Sequence, residues 1–170
     1  AILMTKTAGI EGTGIIACDY EEELREVLSG EELEHAKSLL SKVSVVKDGI
    51  IAGRIGTHGM HDVTEGGILG AVWEMCSIAG TGARLDAEAI PADDVTRRIC
   101  EHYDINMLRL ISSGSMLIMT EEDKKEEIIR ELAAQGIPAA QIGKIVPKEE
   151  GLSICEGGKQ TQIDPPGPDE

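Results

Sequence analysis

The 170-residue chain has no phenylalanine and three aromatic residues in all, Tyr20, Trp73 and Tyr103. So few aromatics require an aliphatic interior and leave little surface on which bases could stack. Positive charge is also scarce: 16 Lys and Arg stand against 31 Asp and Glu, a formal net charge of -15. That balance argues against attachment to nucleic acid or anionic membrane, which needs clustered cations. No apolar run approaches the roughly 18 residues of a membrane span, and the first residues lack the charged and apolar sections of a secretory signal. The expectation is a cytoplasmic protein with neither nucleic acid nor membrane as partner. Cys18, Cys76, Cys100 and Cys155 lie far apart without a Cys-x-x-Cys pair, which speaks against a zinc cluster and for reduced core thiols.

What is present suits one domain with a real core, since 41% of the residues are hydrophobic. Residues 2–7 read as a strand, the turn-rich 8–12 follows, and Ile15 to Cys18 is compatible with helix. An amphipathic helix over Glu21 to Leu28 precedes Ser29 and Glu32, a capping-box pair opening a helix with Leu33, Ala36, Leu39 and Leu40 on one face. Val43 to Ile55 satisfies parts of both periods and is read as helix. A strand end at 61–63, a helix from Gly67 to Ala79 stopped by Gly80, a strand at 83–87 and a helix from about Asp93 continue the alternation. Met116 to Met119 reads as a buried strand, Thr120 as the cap of a helix ended by Gly136, and 137–146 as a strand. Residues 152–163 form a hairpin turning at Gly157-Gly158, and the tail 164–170 is too polar and proline-rich to pack. This rhythm favours a layered α+β domain with a mixed sheet. Ala1, followed at once by strand-like residues, suggests a domain cut from a longer chain.

The densest chemistry lies in His61-Asp62-Val63-Thr64-Glu65-Gly66-Gly67, between an apolar segment and a helical one. Asp62, Thr64 and Glu65 have the spacing of a helix cap. Two consecutive glycines are better explained if something approaches the backbone closely, for which a phosphate or carboxylate at the helix N-terminus is suited. His61 is a candidate proton carrier because an imidazole titrates near neutrality. His58 and His61 invite a metal reading, but no second acidic or histidine cluster lies nearby, and in an extended segment they point to opposite faces. Ser112-Ser113-Gly114-Ser115 reads as a turn with hydroxyls able to line a cleft. The chain has neither a nucleophile elbow nor a P-loop.

Four ordered motifs carry a resemblance: Thr5-Lys6-Thr7-Ala8-Gly9-Ile10-Glu11-Gly12-Thr13, then His61 through Gly70, then Ser113-Gly114-Ser115-Met116-Leu117, then Ile142-Gly143-Lys144-Ile145. Together they resemble the C-terminal domain of the aminoimidazole ribonucleotide synthetase (PurM-like) superfamily, nearest to the branch of the hydrogenase maturation protein HypE. The resemblance covers residues 1–163. It implies a three-layer α/β/α domain with a mixed sheet, partly ferredoxin-like, closing one side of an active cleft. An absent N-terminal domain would then bind most of the ATP and Mg and pair into a homodimer. The implied activity is ATP-dependent activation of an amide, carbamoyl or related oxygen, with the isolated domain inactive. His61, Asp62 and Thr64 become the catalytic candidates and Gly66 and Gly67 the cofactor-binding ones, with no metal ligands in this domain. Two departures stand out: Glu65 occupies a position that is usually basic in HypE-like turns, and the chain ends in Asp169-Glu170 instead of a terminal cysteine. The alternative is a noncatalytic binding or dimerisation module keeping the fold, with a free-standing metalloprotein using His58 and His61 as a third possibility.

Overall fold

The computed structural model describes residues 1–167; the last three residues of the expected tail lie outside the described residues. Strands β1 (Ile2–Thr5), β2 (Gly59–Asp62), β3 (Gly82–Asp86), β4 (Met116–Met119), β5 (Ala139–Val146), β6 (Leu152–Glu156) and β7 (Lys159–Gln162) form one sheet, ordered β2-β4-β1-β5-β3-β6-β7. All neighbours are antiparallel except β3 and β6, so the sheet is mixed.

The helices are α1 (Ile10–Asp19), α2 (Glu21–Leu24), α3 (Gly30–Ser38), α4 (Val46–Ile55), α5 (Gly67–Ala79), α6 (Asp94–Tyr103) and α7 (Lys125–Ala134). Side-chain alternation along the strands sorts them into layers. Ile2 and Met4 of β1, with Leu117 and Met119 of β4, pack on the face that carries Ile68, Val72 and Met75 of α5. Leu3 and Ile118 point the other way, onto Ala52 of α4 and Ile128 and Leu132 of α7. The result is the expected α/β/α arrangement. β1 and β4 are apolar on both faces because both are covered, whereas the exposed edge strand β7 reads Lys-Gln-Thr-Gln. A separate helical core, Ile10, Leu24, Leu33 and Leu39 with Val95 and Ile99, joins α1, α2, α3 and α6.

The Ser29 cap is as expected: Ser29 Oγ accepts from the Glu32 amide at 3.2 Å, and Glu32 Oε2 accepts from the Ser29 amide at 2.7 Å. Three local expectations are corrected. α2 is one turn long, because the chain tightens through Val27 N–H to the Leu24 carbonyl (3.0 Å) and Arg98 of α6 donates to the Val27 carbonyl. Thr120 caps no helix: it is buried, and its hydroxyl donates to the Gly56 carbonyl at 3.3 Å, so α7 starts after a turn, at Lys125. Cys18 is exposed and Cys155 half-buried, leaving Cys76 and Cys100 as core thiols. Burial pushes both of these thiols up, Cys100 to about 11 with help from the Glu101 charge. Of the tail, Asp164 accepts through its carbonyl from Arg109 at 3.3 Å, so residues 164–167 follow the domain surface.

Candidate functional site

β1 runs towards one end of the sheet, and the antiparallel strands β4 and β2 begin and finish there. This brings together the first three sequence motifs. Asp62 pairs with Met116, the Val63 amide donates to the Ser115 carbonyl at 2.9 Å, and Ser115 Oγ donates to the Thr7 carbonyl at 2.6 Å. A connecting loop, residues 104–115, ties the arrangement. Its Leu108 carbonyl accepts from the Leu69 amide at 3.2 Å in α5, and its Ile111 carbonyl accepts from the Gly12 amide at 3.0 Å in α1. The fourth motif lies apart, within β5, where Gly143 pairs with Leu85 and sits close to Ile2 across the sheet.

The turn itself is not a side-chain cap. Gly66 is the N-cap of α5, in left-handed conformation (φ 74°), and no side chain bonds to the helix end. Gly67 is left-handed too (φ 60°), and a Cβ there would lie 2.6 Å from the Leu108 carbonyl oxygen. The close approach that the glycine pair serves at Gly67 is therefore that of the chain's own loop. The carbonyls of Thr64 and Leu108 take the amides of Gly67 and Leu69, at 3.2 Å each, so part of the helix N-terminus is already satisfied. Asp62 and Glu65 are exposed, and Thr64 is half-buried. His61 Nε2 lies 3.0 Å from Glu74 Oε2 of α5, and Nδ1 lies 2.5 Å from the Asp62 carbonyl. His58 instead contacts Glu121 at 2.7 Å, so the two histidines do not converge. Among the described residues, no three His, Cys, Asp or Glu side chains are grouped as a metal site.

Beside the turn, the serine loop is structural as well as polar. Ser112 and Ser115 are fully buried, with their hydroxyls 3.0 Å apart. Lys6 Nζ donates to the Gly114 carbonyl at 2.6 Å and the Ser44 carbonyl at 2.9 Å, and it lies 3.0 Å from Asp48, whose side chain is 1% exposed. A cleft lined by Lys6, Thr7, Ser44 and Asp48 opens there, with Lys42 and Lys47 contributing to its wall. Sequence reasoning missed Glu74 and Lys6. Glu74 carries no motif signal, since only the packing of α5 against β2 gives it a partner; Lys6 stood in a quoted motif, but nothing local linked it to Asp48.

The domain is α+β, with a mixed seven-stranded sheet and three glycine- and hydroxyl-bearing motifs gathered at one sheet end. The family model described as AIR synthase related protein, C-terminal domain, matches residues 1–155, and the chain belongs to that family. It is 26% identical over 139 residues to carbamoyl dehydratase HypE of Rhizobium leguminosarum bv. viciae, covering 71% of this chain and 40% of the relative. It is 30% identical over 125 residues to selenide, water dikinase of Escherichia coli (strain K12), covering 59% of this chain and 36% of the relative. A crystal structure of E. coli HypE superposes with a TM-score of 0.80 at 25% identity, over 99% of this chain and 50% of that one. The chain thus spans half or less of the length of these relatives. No helix among the described residues is long and apolar enough to cross a membrane.

Proposed function

We propose that this chain is the substrate-side domain of an ATP-dependent enzyme that activates an amide, carbamoyl or related oxygen by phosphorylation. The observation that carries the reading is the gathering of three motifs around one loop, which leaves the side chains of His61, Asp62 and Thr64 beside the turn. Relatives named as a dehydratase and a dikinase, and a HypE solved in complex with ATP, support phosphoryl chemistry at the level of the family. When bound, ATP supplies the phosphoryl group that makes the substrate oxygen a leaving group.

Beside the His61 imidazole, the turn offers oxygen donors: the Asp62 and Glu65 carboxylates and the Thr64 hydroxyl. That set fits a hard cation such as Mg. Among the described residues no three His, Cys, Asp or Glu side chains form a cluster, so in this reading the nucleotide and another domain would supply most of the Mg ligands. Asp62, exposed at the end of β2, would supply the charge that orients a nucleotide bound with Mg. Thr64 donates to a substrate or phosphate oxygen, and Gly66 offers the backbone of the turn. Gly67 sets the turn's shape beneath it. His61 carries the proton. A solved HypE–HypF complex supports a second protein as partner, and this reading adds an N-terminal domain and a homodimeric mate. Changing Asp62 to Ala in the intact protein is expected to lower ATP turnover by roughly 100-fold. Unchanged turnover with amide and carbamoyl substrates would overturn the role of the turn.

A second reading, a noncatalytic binding or dimerisation module, is favoured by Glu65 and by the carbonyls that already occupy amides of the α5 N-terminus. Calorimetric titration of the intact protein with Mg-ATP separates the two. Heat of binding supports the enzyme, and its absence supports the module.

A further inference from the structure

We propose that the outer face of α4 is a docking surface for an acidic amphipathic helix of a partner protein. This surface is independent of the ATP reading and of the turn. Residues 42–58 carry Lys42, Lys47 and Arg54, and their one carboxylate, Asp48, is buried against Lys6. The exposed charges of α4 are therefore all positive, in a chain of net charge -15. Each of the other six helices exposes at least one carboxylate. The side chains of Lys47 and Arg54 have no hydrogen-bond or ion-pair partner among the described residues. Unpaired cations on so acidic a chain are complemented by a second, negatively charged body.

The same face is apolar. Val43, Val46 and Ile50 are exposed, and Met60 of β2, whose Cε would lie 3.6 Å from a Cβ on Gly53, extends the patch. These are four of the seven exposed large hydrophobic residues among those described, so apolar surface is concentrated where the positive charge is. Lys47, Ile50 and Arg54 follow one another at i, i+3 and i+7 and share one stripe, with the two cations about 10 Å apart along the axis. Beside the stripe runs a groove of about 370 Å³, lined by Lys47, Ile50, Ile51 and Arg54 on one side and by Glu131 and Gln135 on the other. Glu131, the carboxylate in that wall, is paired with Arg130 at 3.4 Å. The order cation, aliphatic, cation specifies the occupant. It is a helix that lays an aliphatic side chain against Ile50, with a carboxylate about one turn to either side. A nucleic acid or an anionic membrane would also meet these cations, but each extends far past α4 and sets its own charge against the acidic remainder of the chain.

Fluorescence anisotropy of the intact protein with a labelled synthetic helix tests the proposal, the probe carrying leucine along one face and glutamate a turn to either side. The protein's net charge repels this peptide, so attraction has to come from a local face. Saturable binding at low salt is expected. Glutamine in place of the glutamates is expected to weaken it, as is Lys47→Glu combined with Arg54→Glu, by about tenfold or more. Ile50→Ser is expected to cost about tenfold, while Lys159→Glu on β7 leaves binding unchanged. All four positions are exposed, so these variants keep the fold. No saturation up to about 1 mM, or equal affinity in the Lys47→Glu and Arg54→Glu double variant, would overturn the proposal. So would a thymidine oligonucleotide or phosphatidylserine vesicles binding these residues more tightly than the peptide, or self-association lost in Ile50→Ser, since each names a different occupant.

Discussion

Gly67 has two separate demands on it, a left-handed backbone and a loop carbonyl where its Cβ would be. Alanine there meets both, and Gly67→Ala is expected to lose about 3 kcal/mol of stability, from backbone strain and overpacking together. At Gly66 the same substitution meets only the strain, since its nearest neighbour is the Pro166 side chain at 3.4 Å. A smaller loss of about 1–2 kcal/mol is expected. Urea unfolding of the two variants checks the ranking; equal losses would mean that the 104–115 loop moves aside freely. The oddity of the glycine pair was legible in the sequence, because two glycines at a helix start are costly. Its cause was not, because Leu108 is some forty positions away along the chain.

At the scale of elements, the Ser29–Glu32 box shows when a local signal is enough. Both partners lie within one turn, so neither needs the rest of the fold. Hydrogen bonding from the Ser29 amide, aided by the Ser29 hydroxyl and Arg98, holds the Glu32 carboxyl below its ordinary value of 4.5. A carboxyl lowered by folding contributes stability above about 4.5, and the contribution is lost as pH falls through its folded value. Ser29→Ala is expected to cost about 1 kcal/mol at neutral pH and to weaken this acid dependence, measured by unfolding between pH 3 and 7. An unaltered pH profile would show that the Ser29 amide, which the substitution keeps, and Arg98 suffice to hold the carboxylate. α5 was legible to the residue at Gly67 and Ala79, since Gly66-Gly67 and Gly80 bracket an apolar run. Thr120 misled for the opposite reason: a hydroxyl before three acids has the form of a cap, and only the Gly56 carbonyl explains its place.

For the whole molecule, the Lys6–Asp48 pair joins pieces that no local pattern connects. Lys6 leaves β1 in left-handed conformation (φ 57°) and reaches α4, the Ser44 carbonyl and the serine loop in one side chain. Removing the carboxylate leaves a half-buried ammonium without its ion partner. Asp48→Ala is therefore expected to destabilise the protein by roughly 3 kcal/mol and to loosen the 112–115 loop. Thermal unfolding, with hydrogen exchange at Ser115 and Met116, measures both effects. A loss below 1 kcal/mol would show that the carbonyl partners of Lys6 suffice.

Composition and spacing by themselves determined the aliphatic core, most helices and strands, and the four motifs, because each depends on neighbours within about a turn or on the alternation of a strand. They also carried the family resemblance, which rests on the order of residues along the chain. Only the tertiary structure decided which motifs meet. Antiparallel pairing of β4 with β1 and β2 puts 5–13, 61–70 and 113–117 at one end of the sheet and leaves Gly143 inside it. The packing of α5 on β2 likewise made Glu74 the partner of His61, a pairing set by the register of a helix on a strand.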